Sequence, residues 1–508
     1  MHAAASGREV VPDILRPHRR IVALDLLIST LQRCLDGGIC PRRRTLVWGH
    51  FRPAVPIRYS ARRVFLLPAA EPDVILAILA AILAAAGVAQ AVAGAVLVGR
   101  FADPISPLEP RRREQPPITV LKPLHGAEPL LEQALASFCA QDYPAFQIVF
   151  GAQDAADPAL AVVARLRARF PRCDIAVVLD PTRHGANGKV GNLINMLPSA
   201  RYHILVIADS DLHVQPDYLT RIADTLAIRG TGLATTLYAG LPDSNRLMQQ
   251  LGATQITHSF LPGAMLARAM GRQDCLGATM ALSRDTLAEI GGFQTLLPHL
   301  ADDQVLGRQV AALGLAVRLA PTVPATTVPE TRFGDLWRHE LRWARTIRAL
   351  EPGPFAVSIL QYPMFWGLLA ILLSRGEVWS FAVFLLAWVG RALAATWVDR
   401  ALEPLLVAKP KPGERLDTGP RPQTVTRRET RPDDLRLEDG WKLSDAATQG
   451  LAFPCPVWLL PLRDLMSVGV MVASFAGRRV EWRGEQLVAD TPERPQPSRI
   501  TSKDQRPR

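Results

Sequence analysis

At 508 residues the chain is long enough for one large catalytic domain plus several membrane segments, and its 48% hydrophobic content exceeds that of most soluble enzymes. Its net charge of +11 would suit nucleic acid, but the basic residues gather beside apolar segments, as Arg111, Arg112 and Arg113 and again as Arg338, Arg342, Arg345 and Arg348. That placement fits the positive-inside rule, no nucleic-acid-binding motif accompanies it, and the middle of the chain is expected to face the cytoplasm, with no nucleic-acid partner. The six cysteines, Cys34, Cys40, Cys139, Cys173, Cys275 and Cys455, form no CxxC pairs, which argues against a zinc cage or a disulfide framework and for a reducing compartment.

Residues 1–72 mix basic residues, prolines and short apolar patches without sustained periodicity, and form an extension to which no fold is assigned. Val74 to Val98 is free of charge, with Gln90 as its one polar side chain, and is long enough to cross about 30 Å of hydrocarbon. A transmembrane helix is expected over 73–100, and since no small-residue cleavage site follows before Arg100, it should stay attached. Strand-like and helix-like runs then alternate, which predicts an α/β domain with a mostly parallel sheet over 115–350. Ile118–Leu121, Phe146–Phe150 and Ile175–Leu179 are its first strands, with helices over Leu130–Ala140 and Ala159–Arg169 between them. Tyr202–Ala208 is a further apolar run that ends abruptly in Asp209-Ser210-Asp211.

Beyond the domain, Phe355–Ser374 and Val378–Val398 read as a transmembrane hairpin over 355–398, although Pro363 and Arg391 interrupt it and Arg391 must snorkel or face protein. A polar linker over 403–448 is rich in proline and mixed charge. The apolar segment 454–476 contains Pro461, Arg463 and Asp464, which favours an interfacial or re-entrant element over a clean span, and a polar tail covers 477–508.

The candidate chemistry sits where the strands end. A buried strand that stops at Asp-Ser-Asp sets carboxylates at the carboxyl edge of a parallel sheet, where open α/β folds build their ligand crevice. There Asp209 and Asp211 suit Mg²⁺ or Mn²⁺ bridging two phosphates, although a lone Asp-x-Asp is more often a loop or a helix cap. Asp154 follows the second strand, where it can accept hydrogen bonds from a base or ribose or simply shape a turn. Lys189 lies in the glycine-rich loop Asn187-Gly-Lys-Val-Gly-Asn192, as a cation for phosphate or as a solvated lysine. Gly277, in Cys275-Leu-Gly-Ala-Thr-Met280, lets backbone approach a ligand. Asp302 and Asp303 precede an apolar helix pattern from Val305, a place where a cap is the ordinary role. His339-Glu-Leu-Arg342-Trp343 stands just before the hairpin.

Taken in order, these elements resemble the inverting glycosyltransferases of the GT-A (nucleotide-diphospho-sugar transferase) fold, and more narrowly the ceramide glucosyltransferase family with its bacterial hopanoid-glycosylating branch. The resemblance covers about 115–375 and the Arg478–Gly484 tail. It implies a GT-A domain with N-terminal and C-terminal transmembrane helices in a bacterial inner membrane, the domain being cytoplasmic. It further implies that Asp154 contacts the uridine, that Asp209 and Asp211 hold a divalent metal (Mg or Mn), and that Asp303 is the catalytic base, as the later member of an acidic pair. Lys189, Gly277, His339, Arg342 and Trp343 would bind substrate. His339 departs from the Gln or Arg that the family's [Gln/Arg]-x-x-Arg-Trp motif usually has.

The function expected from this resemblance is transfer of N-acetylglucosamine from UDP-N-acetylglucosamine to a hopanoid polyol such as bacteriohopanetetrol, with ceramide and UDP-glucose as the alternative pair. A processive polysaccharide synthase uses similar motifs but needs more membrane helices. An inert membrane binding protein or transporter component is the alternative from another class.

Overall fold

The computed structural model describes residues 72–102, 115–406, 456–477, 479–482 and 485–488. The N-terminal extension to residue 71, Arg111–Arg113, the linker from 407 and most of the polar tail lie outside the described residues. A long helix, α1 (Pro72–Ala102), comes first. The domain then runs β1 (Ile118–Pro123), α2 (Leu131–Cys139), β2 (Phe146–Ala152), α3 (Ala159–Arg169), β3 (Asp174–Leu179), α4 (Gly188–Met196), β4 (Ile204–Ala208), β5 (Leu212–His213), α5 (Tyr218–Leu226), β6 (Thr231–Thr235) and β7 (Ala239–Pro242). It continues as α6 (Leu247–Gln255), a π-helical turn over Ile256–Phe260, α7 (Leu261–Ala269), β8 (Thr279–Ser283), α8 (Arg284–Glu289), α9 (Asp302–Ala312), β9 (Ala316–Leu319) and β10 (Ala325–Val328). The helices α10 (Phe333–Leu350), α11 (Pro352–Val357), α12 (Pro363–Leu373), α13 (Val378–Leu406) and α14 (Leu460–Ser474) follow, and then the hairpin of β11 (Arg479–Trp482) and β12 (Glu485–Val488).

The main sheet has seven strands in the order β3-β2-β1-β4-β8-β6-β9. Among them β8 runs antiparallel to both its neighbours and the rest are mutually parallel. Helices cover both faces, which is why the strands are near-continuous apolar runs rather than alternating ones. Val120, Ile148, Phe150 and Val206 pack into one core with Leu135, Phe138, Leu166 and Tyr218. Leu121, Val149, Leu205 and Ile207 point the other way, into a core with Val190, Leu193, Leu306 and Val310. Each such side chain contributes about 1.5–3 kcal/mol by leaving water, so a register slip that turned either set outward would unfold the domain. A second sheet, β5-β10-β7, stands beside the crevice.

The strand directions set up the site. β4 ends at Ala208, and the antiparallel β8 begins opposite it, with Ala208 facing Thr279. The carboxyl end of one strand and the amino end of the other therefore share an edge, and the Asp209 amide donates to the Ala278 carbonyl at 3.2 Å. Asp209 and Gly277 become neighbours although far apart in the chain.

Three helices among the described residues are long and apolar enough to cross a membrane, Pro72–Ala102, Val378–Leu406 and Val457–Ser474. The expected first arm of the C-terminal hairpin is not one helix: Pro352–Gln361 and Pro363–Leu373 meet at a bend of 68°. Pro363 has no N–H for the helical ladder and its ring clashes with the preceding turn, so the chain breaks there. The second arm, expected to end at Val398, continues to Leu406 through Pro404, so the first residues of the expected linker are helical. Arg391 faces protein: it is buried, and its guanidinium donates to the His258 carbonyl at 2.8 Å and to Ser259 Oγ at 2.9 Å. α1 and α13 pack closely because Gly390 has no side chain, as a Cβ there would sit 2.6 Å from Val88.

Candidate active site

A cavity of about 510 Å³ opens at the sheet edge where β1, β4 and β8 meet, walled by α6, α9 and α10. Its floor is crowded with charge. Lys189 Nζ pairs with Asp209 Oδ1 at 2.6 Å and approaches Asp302 Oδ2 at 3.9 Å. Lys189 does not lie in a loop, as its glycine-rich surroundings suggested, but in the first turn of α4, where Asn187 caps the helix by accepting from the Val190 amide at 3.1 Å. The cap outweighs the two glycines. Asn187 also donates to the His299 carbonyl at 2.9 Å, tying this turn to the loop that leads into α9. Burial alone would lower the Lys189 pKa, but the Asp209 and Asp302 carboxylates more than reverse this and hold the ammonium charged.

Asp302 and Asp303 are the first residues of α9, three positions earlier than the apolar pattern suggested, and neither caps it: the N-cap is Ala301. A carboxylate in the first helical turn is favoured by the macrodipole by about 0.3–1 kcal/mol. Burial works against it and the Asp302 charge adds to the effect, so the Asp303 carboxyl is pushed up to about 7. Burial raises Asp302 as well. Asp303 packs on Gly277, where a Cβ would come within 2.9 Å of Asp303 Oδ2, so any larger residue there would shift the carboxyl from its place. Gln304 fixes the contact from α9 by donating to the Cys275 carbonyl at 3.1 Å.

Asp211 accepts from Thr326 Oγ1 of β10 at 2.5 Å, and burial raises its pKa. Beneath it lies Lys122, fully buried in β1, with its ammonium hydrogen-bonded to the Asp209 carbonyl and 3.7 Å from the centre of the Phe138 ring. Burial brings Lys122 down to about 7, despite the pull of Asp211 and Asp209. The donor set suits a small hard cation: two carboxylates at one strand end, with Asp302 Oδ2 buried nearby and without a hydrogen-bond partner among the described residues. Among the described residues no three His, Cys, Asp or Glu side chains form a complete metal site. A cation held by Asp209 and Asp211 would therefore complete its shell with water and ligand oxygens, as Mg²⁺ commonly does beside phosphates.

The opposite wall is helical. His339, Arg342 and Trp343 of α10 all line the cavity. Their spacing brings them to one side of the helix, and the His339 and Trp343 rings meet edge to face with centroids 4.5 Å apart. His339 Nδ1 is hydrogen-bonded to Glu330, whose carboxylate is held below its usual range by that contact even though burial opposes it. Tyr238, Phe260, Leu336 and Ile347 make the same wall partly apolar.

Of the residues singled out in the sequence, Lys189, Asp209, Asp211, Gly277, Asp303, His339, Arg342 and Trp343 therefore meet in one cavity. Asp154 does not line it: it is exposed at the end of β2 and accepts from the Ala156 amide at 2.8 Å, shaping its own turn. Sequence reasoning missed Lys122, Tyr238 and Glu330. Lys122 alone left a trace, as a charge inside an apolar strand, which calls for a buried partner.

A charged crevice at the carboxyl edge of a largely parallel sheet, with one antiparallel strand inserted beside the acidic strand end, is the arrangement of a GT-A-like α/β fold. The chain belongs to glycosyl transferase family 21, whose sequence profile matches residues 75–408. It is similar to ceramide glucosyltransferase 1 of Caenorhabditis elegans, 22% identical over 246 residues that cover 48% of this chain and 53% of that protein. It is also similar to the ceramide glucosyltransferase of Komagataella phaffii, 33% identical over 113 residues, 22% of each chain. The matches thus span about half or less of these relatives' length. Among solved structures, the mannosyltransferase PcManGT from Pyrobaculum calidifontis, in complex with GDP-Man and Mn²⁺, is 20% identical, with 64% of this chain and 95% of that one covered and a TM-score of 0.41.

Proposed function

We propose that this chain is a membrane-embedded inverting glycosyltransferase that moves a sugar from a UDP-sugar to a lipid hydroxyl. The observation that carries it is Asp303: a half-buried carboxyl whose surroundings push its pKa up to about 7, in the same cavity as the Asp209-Ser-Asp211 strand end. Asp303 removes the acceptor hydroxyl's proton as that oxygen attacks the anomeric carbon. The bond from that carbon to the diphosphate oxygen breaks on the far side, its electron pair leaves with the diphosphate, and the configuration inverts. Asp209 and Asp211 are the residues that would hold a divalent ion, Mg or Mn, which when bound offsets the diphosphate's charge. Lys189, His339, Arg342 and Trp343 bind the donor and stabilise the leaving group from the floor and the wall. Asp154, outside the cavity lining, is the residue that the motif resemblance assigns to the uridine, and Gly277 keeps the Asp303 carboxyl accessible.

For the acceptor, the motif resemblance favours a hopanoid polyol such as bacteriohopanetetrol, with UDP-N-acetylglucosamine as donor. The names of the ceramide glucosyltransferase relatives favour ceramide as the acceptor and glucose as the sugar, which is the second pair's chemistry. Either lipid suits a site whose wall is the helix just before the membrane segments, with the domain on the cytoplasmic side of a bacterial inner membrane. The test is lipid mass spectrometry on membranes containing wild type or Asp303→Asn, given each pair in turn. A hexosamine-bearing hopanoid made only by wild type supports the first pair, and hexosyl-ceramide made only by wild type supports the second. Equal product from both proteins would remove Asp303 as the base.

A further inference from the structure

α10 is gripped from a distant part of the chain. Glu340, next to His339, is buried, and Arg463 of α14 meets it with both ends of its guanidinium: Nη1 donates to Oε1 and Nη2 to Oε2, each at 2.7 Å. Arg463 is fully buried. It also donates to the Leu251 carbonyl of α6 at 3.3 Å and to Ser467 Oγ at 3.0 Å, and Ser467 Oγ donates to Gln255 Oε1 at 3.1 Å. Glu340 and Gln255 both line the cavity. One side chain from α14 thus joins α6 and α10 where these two helices form the wall.

A buried ion pair is a weak way to gain stability, since desolvation of both charges offsets most of their attraction. What a planar, two-pronged contact supplies is geometry. Successive residues on α10 turn by about 100°, so pinning Glu340 fixes the directions in which His339, Arg342 and Trp343 leave the helix. Lysine, a point charge on a flexible stem, cannot do the same.

We propose that Arg463 is a positioning residue for sugar transfer: by clamping Glu340 it sets the rotation of α10 that turns His339, Arg342 and Trp343 toward Asp209 and Asp303. The inference rests on the transferase reading of the cavity, and it makes α14 part of the site rather than only an apolar anchor.

The test uses the full chain in lipid nanodiscs, as wild type, Arg463→Lys and the doubly neutral Glu340→Gln/Arg463→Met. The double variant leaves no buried charge unpaired, so it keeps the fold where Arg463→Met alone would endanger it. Two readouts are taken: kcat and KM for the UDP-sugar, and amide hydrogen exchange over 333–350 with and without UDP and Mg²⁺. Both variants are expected to lose kcat on the order of 10–100-fold, since small misplacements of binding groups cost that much. Exchange over 333–350 rises while the β1 and β4 amides stay as protected as in wild type. Wild-type kcat and exchange in the double variant would overturn the proposal, and so would loss of protection throughout the sheet in Arg463→Lys. Should wild type transfer no sugar to any acceptor, the transferase reading fails by itself, because exchange over α10 still decides whether Arg463 orders that helix.

Discussion

The floor of the cavity and its wall are built by different means. The floor takes its charges from strand ends and first helical turns, Asp209 after β4, Lys189 in α4 and Asp303 in α9, all at the edge of a sheet with an apolar core on each face. The wall is assembled from α6 and α10, and its anchor, Arg463, arrives from a helix that packs there only in the folded molecule. The floor's chemistry is thus local to each strand end, whereas the wall's is a matter of how helices dock.

Changes to the floor should therefore act on the chemical step. The largest effect is expected from Asp303→Asn, a loss of about 100- to 10,000-fold in kcat, in the range general bases contribute, with donor binding largely kept. Gly277→Ala should follow, at about 100-fold, because its methyl would lie 2.9 Å from Asp303 Oδ2 and push the carboxyl aside. Normal turnover in that variant would mean that the cavity tolerates a displaced Asp303.

A pH profile sharpens the contrast. As the proposed base, Asp303 would act only when ionised, so with its carboxyl pushed up to about 7, turnover should climb through neutral pH toward the alkaline side. Asp302→Asn removes a neighbouring negative charge that opposes ionisation, so the acid limb should move to lower pH, whereas Arg463→Lys, a change in the wall, should leave the limb where it is. An unmoved limb in Asp302→Asn would detach Asp302 from the base.

Smaller effects are expected away from both regions. Asp154→Ala should raise the donor KM by about 10-fold with kcat nearly unchanged, as happens when a residue binds the ground and transition states equally well. An unaltered KM would reduce Asp154 to the turn residue its hydrogen bond to Ala156 describes. The smallest change should come from Arg375→Ala, which breaks an exposed pair with Asp73. Exposed pairs contribute about 0–1 kcal/mol, so thermal unfolding should barely shift.

Much of the floor was legible in the sequence because a buried strand has no choice but to be apolar, and where it stops, the next charges stand at the sheet edge. Tyr202–Ala208 followed by Asp-Ser-Asp is such a stop, and β1, β2 and β3 appear where their apolar runs lie. Helix α3 appears over its expected residues for the same reason: its periodicity is local. The long helices α1 and α13 were legible as apolar runs, since crossing hydrocarbon is a demand each segment would meet on its own, whereas the break at Pro363 and the long apolar helix over Val457–Ser474, expected as an interfacial or re-entrant element, were not.

Partners distant in the chain were not legible. That Asp303 needs Gly277 beside it follows from β8 running antiparallel to β4, and strand direction is set by the whole sheet. That Lys122 lies under Asp209, that Arg391 turns inward to His258 and Ser259, and that Arg463 grips Glu340 all depend on which buried donor meets which acceptor. The sequence alone determined that these charges sit in apolar surroundings and so require partners. Only the tertiary structure decided which ones, because a buried charge is satisfied by position in space, and the chain brings those positions together from opposite ends.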